Sequence, residues 1–118
     1  IRYNNGYNVN YFIHRKLMKR PTTAKTKLAA KQIGENIATW RKLYGLTSQQ
    51  LADKAAVSRA TISRLENGDP TVSFETFLNA CRALSSLDAV VEATDPYETD
   101  YGRIRADQAL PQRVRSKR

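Results

Sequence analysis

An all-α fold is what this chain of 118 residues predicts: a five-helix bundle carrying a basic N-terminal extension and a partly ordered C-terminal tail. Three observations predict it. Apolar residues recur at helical spacing in successive short segments, as in Ile33, Ile37, Trp40 and Tyr44. Hydroxyl residues that favour helix starts stand before those segments at Thr22 or Thr23, Thr47, Ser58 and Ser73. Breakers then close them at Gly45, Gly68, Asp69-Pro70 and Asp95-Pro96. The length suits one domain with a modest core, and the boundaries fall at 1–21 for the extension, 22–95 for the domain and 96–118 for the tail.

The extension is the least legible part. Met18, the only methionine, precedes Lys19-Arg20-Pro21 and reads as a natural start, which leaves 1–17 as vector-derived sequence or an alternative upstream extension. A hairpin at Asn5-Gly6 is disfavoured because neither face of it would be cleanly apolar, although Tyr7, Val9, Tyr11 and Ile13 suit a lone strand on a partner's edge. From Thr22 or Thr23 a packing helix then runs to Tyr44, and its stripe puts Trp40 in the core.

Residues 47 to 68 carry the chemistry. Thr47 and Gln50 are placed as a capping box, so a short helix starts there and runs to about Ala55. Ala56-Val57 makes the turn, and Ser58 caps a second helix over Arg59 to Asn67, which Gly68 stops. Ile62 and Leu65 face inward with Leu51, Ala52 and Val57, leaving Arg59, Ala60, Thr61, Ser63 and Arg64 outward. Guanidinium forks, hydroxyls and one small apolar group suit base edges and phosphates in a major groove. This is a helix-turn-helix pattern.

Ser73 caps a fourth helix through Leu84, and Leu87, Val90 and Val91 mark a short fifth one. Cys81, the only cysteine, shares an apolar face with Phe74, Phe77, Leu78 and Leu84 and reads as buried filler. In the tail, Tyr97, Tyr101, Ile104 and Gln108 share one helical face, so a partner-binding helix competes with a solvated end.

The stretch from Ile33 to Leu84 resembles the XRE family of helix-turn-helix regulators, the class of the phage repressors and Cro proteins. The strings that carry the likeness are Trp40-Arg41-Lys42-Leu43-Tyr44-Gly45-Leu46-Thr47, Leu51-Ala52, Val57-Ser58 and Ile62-Ser63-Arg64-Leu65-Glu66-Asn67-Gly68. Ser48 replaces a common Gln, so Gln49 and the backbone amides at the helix start become the better anchors, and Ala56 replaces a common Gly in the turn. The resemblance implies a five-helix fold of the lambda-repressor-like DNA-binding type. It also implies a salt bridge between Arg41 and Glu66. DNA contacts are expected from Thr47, Ser48, Gln49, Ser58, Arg59, Ala60, Thr61, Ser63, Arg64 and Asn67.

Charge agrees with a polyanionic partner. The net charge is +9, but residues 1–20 hold five basic and no acidic side chains whereas residues 86–118 balance six against six. The lone His14, the absence of a glycine-rich phosphate loop and the lack of paired carboxylates argue against an enzyme. No cofactor or metal is expected, no membrane span is encoded, and a single cysteine fits a reducing cytoplasm. The expected function is sequence-specific double-stranded DNA binding as a transcriptional repressor, with a homodimer on an inverted-repeat operator. Small regulators with this core and a short tail resemble HipB-like antitoxins, which implies a HipA-like kinase toxin as a further partner. The alternative is a helical interaction module that keeps the fold without binding DNA.

Overall fold

The computed structural model of the chain describes residues 20–109. The readings of the extension, including the Met18 start, the lone strand and His14, lie outside the described residues. Among the described residues there are six α-helices, one 3-10 turn and no strand.

Helix α1 spans Ala24–Leu43, with the Thr23 hydroxyl accepting from the Thr26 amide at its start. Helix α2, Ser48–Ala55, begins on the full capping box: the Gln50 amide donates to Thr47 Oγ1 at 3.0 Å and the Thr47 amide donates to Gln50 Oε1 at 2.8 Å. Ala56 then takes a left-handed backbone, φ 59° and ψ 40°. An alanine there costs roughly 1 kcal/mol relative to glycine, which a packed domain can absorb. Helix α3, Arg59–Glu66, is capped by Ser58, and helix α4, Phe74–Ala83, by Ser73. Helix α5 covers Leu87–Ala93. A 3-10 turn at Pro96–Glu98 leads into α6, Asp100–Ala109, an ordered helix within the tail.

The core lies where α2, α3 and α4 pack together, with α1 set against α3. Ile37, Leu51, Ala52, Ala55, Ile62, Leu65, Ala80 and Leu84 are buried together, with Leu46, Val57, Val72, Phe77 and Ala83 packed around them. Small residues at 52, 55 and 80 let the three helices approach closely, and the larger Leu51 and Ile62 fill the centre. Cys81 is buried, as its position on α4 predicts, and burial pushes its thiol upward from the ordinary range. Phe74, expected on the same face, is exposed and stacks on Phe77 at 6.5 Å between ring centres.

The inward stripe of α1 differs from the expected one. Gly34 and Ile37 are buried and Arg41 is half-buried, while Ile33, Trp40 and Tyr44 remain 41%, 48% and 50% exposed. Trp40 is therefore not a core residue. Its ring instead stacks on Tyr44, one turn on, at 5.8 Å. The reason is the point of contact: α1 meets the end of α3 at Gly34. A Cβ on Gly34 would lie 2.5 Å from the Leu65 carbonyl oxygen and 2.7 Å from that of Glu66. Only a missing side chain allows backbone to approach backbone so closely, and the residues flanking that seam are turned aside.

Candidate nucleic-acid interface

Helix α3 is held from within and from its C-terminal end. Ile62 and Leu65 enter the core, one turn apart on one face. At the end of the helix, Arg41 Nε donates to Glu66 Oε2 at 2.7 Å and Arg41 Nη2 donates to Glu66 Oε1 at 3.1 Å. The same guanidinium donates through Nη1 to the Leu46 carbonyl at 2.9 Å. One side chain thus ties α1, the loop before α2 and the end of α3. Both partners are largely shielded, with side chains 13% and 11% exposed. The hydrogen bond to Glu66 and its negative charge hold the Arg41 guanidinium above its ordinary range despite burial. Gly68, with φ of +82°, turns the chain away behind it.

With those anchors in place, the opposite face of α3 is left to solvent. Arg59, Ala60, Ser63, Arg64 and Asn67 are exposed and Thr61 is half-buried. Residues 59, 63 and 67 follow one another at four-residue intervals, as do 60 and 64, so they form two adjacent rows. Ser58 accepts from the Thr61 amide at 3.1 Å and its hydroxyl meets the Thr61 hydroxyl at 2.8 Å, so both help to build the helix start. Asn67 reaches Ser63 Oγ at 3.5 Å. Among the described residues Arg59 forms no ion pair.

Arg64 is engaged. Its Nε donates to Asp69 Oδ2 at 2.8 Å, and its Nη2 donates to Thr71 Oγ1 at 3.1 Å. Thr71 in turn donates to Asp69 Oδ1 through its hydroxyl at 2.6 Å and its amide at 2.8 Å. The Thr71 hydroxyl and amide, followed by the Arg64 guanidinium, pull the Asp69 carboxyl down to about 2, so it is ionised throughout the neutral range. The sequence marked Asp69 only as a chain breaker. Its link to Arg64 spans five residues and crosses from helix to loop, a spacing no helical periodicity flags.

At the start of α2, Thr47 and Gln49 are exposed and Ser48 is half-buried. Gln49 Nε2 donates to Asp53 Oδ1 at 2.9 Å, fixing the amide along the helix. First-turn amides have no acceptor inside their own helix, which leaves those of Ser48 and Gln49 for an outside oxygen. The arrangement offers hydroxyls, amides and two guanidinium groups on short helices anchored from behind. Such a set can bind an anionic backbone and read base edges.

Among the described residues no group of three or more His, Cys, Asp or Glu side chains could hold a metal ion, and no helix is long and apolar enough to cross a membrane. Residues 37–88 match a family model described as Helix-turn-helix. No curated protein and no solved structure matches the chain.

Proposed function

From the premise that residues 37–88 belong to the helix-turn-helix family of the XRE type, a DNA-binding regulatory class, we propose that the chain is a sequence-specific transcriptional repressor. The observation that carries the reading is the contrast on α3. Its inner face and C-terminal end are tied down, whereas Arg59, Ala60, Ser63 and Arg64 stand exposed in two rows. Arg59 and Arg64 are assigned to guanine edges; Thr47, Ser48, Gln49, Ser58, Thr61, Ser63 and Asn67 are assigned to phosphates and positioning, with Ala60 as an apolar contact.

One recognition helix covers only a few base pairs, so the repressor acts as a homodimer on an inverted repeat with half-sites about 34 Å apart. Helix α5 supports the dimer assignment, since Val91 is exposed beside the half-buried Leu87 and Val90. Work on DNA places the protein in the cytoplasm, at the nucleoid. A second role as the antitoxin of a kinase-like toxin is favoured by the exposed Tyr101 and Ile104 on α6 and the exposed Tyr97 in the turn before it.

Selection from a randomised duplex library tests the reading. Wild-type protein should enrich a two-fold symmetric consensus, and native mass should give two chains per duplex. Replacing Arg59 or Arg64 by Ala should cost the consensus roughly 1 to 3 kcal/mol relative to random duplex. Equal weakening on both duplexes assigns the arginines to phosphate, and no enrichment at all favours an interaction module without DNA binding.

A further inference from the structure

The loop after the recognition helix holds charged chemistry that the proposed contacts do not use. Arg64, Asp69 and Thr71 close a ring of hydrogen bonds: guanidinium to carboxylate at 2.8 Å, guanidinium to hydroxyl at 3.1 Å, and hydroxyl to the same carboxylate at 2.6 Å. Nε and Nη2 lie on one edge of the planar guanidinium, and that edge is the one occupied. The end formed by Nη1 and the outer hydrogen of Nη2 has no partner among the described residues, and the side chain is half exposed. Arg64 itself stands one turn after Ala60 on the outer face of α3.

We propose that Asp69 and Thr71 are positioning residues for DNA reading, holding one edge of the Arg64 guanidinium so that its free end is presented as a fixed two-donor fork. The inference rests on the DNA-reading function proposed above. A free arginine surrenders rotamer freedom whenever it binds, so a fork fixed beforehand loses less on meeting a base. A fixed fork also discriminates more sharply, because two parallel donors match the acceptor pair of guanine and no other base edge in the major groove. The negative charge of Asp69 opposes phosphates and thereby weakens contact with DNA of any sequence. A carboxylate beside a DNA-reading helix thus lowers general affinity while raising selectivity.

That pairing of signs sets the experiment. The probes are the consensus duplex enriched by the wild-type chain and a scrambled duplex of equal length, each titrated with wild-type protein, Asp69→Ala, Thr71→Val, Thr71→Ser, Arg64→Ala and the Arg64→Ala/Asp69→Ala double variant. Asp69→Ala should bind the scrambled duplex more tightly while its ratio of consensus to scrambled affinity falls about fivefold, within the usual range of one bidentate contact. Thr71→Val should lower the ratio to a smaller extent and Thr71→Ser should retain it. In the Arg64→Ala background the Asp69 change should leave the ratio untouched. The start of α4 is capped by Ser73 rather than by Asp69, and cooperative thermal unfolding well above the assay temperature will show that the variants are folded.

An unchanged ratio in Asp69→Ala overturns the proposal, as does an equal fall in the presence and absence of Arg64. Should wild-type protein enrich no sequence, the DNA-reading function fails and the positioning role falls with it. Enrichment by the wild type without an Asp69 effect removes the positioning role alone.

Discussion

The body of the domain and its tail are both helical, yet they are held by different physics. Helices α1 to α4 share buried residues and a shielded ion pair. Helix α6 and the 3-10 turn before it bury no side chain. The tail is shaped by local bonds instead: Asp95 caps the 3-10 turn, Thr99 Oγ1 accepts from the Gly102 amide at 2.9 Å, and Arg103 pairs with Asp100. Local bonds suffice to set a helix, but only shared burial makes one element depend on another. The body should therefore unfold as one unit, with the tail opening independently at lower cost.

Matched substitutions can break that contrast, beginning with the two tightest glycines. Gly34→Ala drives a Cβ into the carbonyls of Leu65 and Glu66, which are backbone and cannot swing aside. It should destabilise the whole domain by about 3 kcal/mol or more in chemical denaturation. Gly102→Ala meets the Pro96 carbonyl more closely still, yet should reduce only tail helicity, seen as a small loss of far-UV signal with an unchanged midpoint. A cooperative loss from Gly102→Ala would show that the tail belongs to the body.

Truncation of apolar side chains comes next. Ile62→Ala, at a fully buried site, should cost roughly 2 to 5 kcal/mol. Ile104→Ala, at a side chain 58% exposed, should stay within about 0.5 kcal/mol. The same denaturation curves read both.

Ion pairs give a smaller split. Glu66→Ala strands the shielded Arg41 guanidinium and should cost about 2 to 3 kcal/mol, whereas Asp100→Ala in the exposed tail pair should cost about 0 to 1 kcal/mol. Comparable losses would mean that the tail pair is far less solvated than its exposure indicates.

The smallest effect is in acid. Asp69 has a depressed carboxyl, so its stabilising contribution is complete above the ordinary value of 3.8 and disappears as pH falls through about 2. Acid titrations of wild type and Asp69→Asn should accordingly differ above that window and converge below it. Curves that converge already near the ordinary value would show the ring with Thr71 and Arg64 to be open in solution.

Much of the body was legible because its signals are local. Thr47 with Gln50, Ser58 and Ser73 act within four residues of themselves, and each caps the helix the sequence assigns to it. The outward row of α3 followed from Ile62 and Leu65 being the residues that must face in. Burial on α1 was less legible, since a stripe through Ile33 and Trp40 and one through Gly34 and Ile37 lie side by side on the same helix. What chooses between them is the close approach of α3 to Gly34, a long-range contact that periodicity does not contain. The ring around Arg64 was hidden for a related reason: it forms only after the chain has turned at Gly68. In the tail, Tyr97, Tyr101 and Ile104 read as one helical face, but the extended Thr99 interrupts the helix between the first two.

The seam at Gly34 has a consequence for how such a protein changes over generations. Because α3 rests on α1 through main-chain atoms, its tilt does not depend on which side chains it carries outward. Residues 59, 60 and 63 can then be exchanged without moving the helix that bears them, and on the DNA-reading function proposed above each exchange alters preference while leaving stability nearly constant. Under that proposed function, a lineage built on this seam acquires a new target in single steps, with no unfolded intermediate between the old preference and the new one.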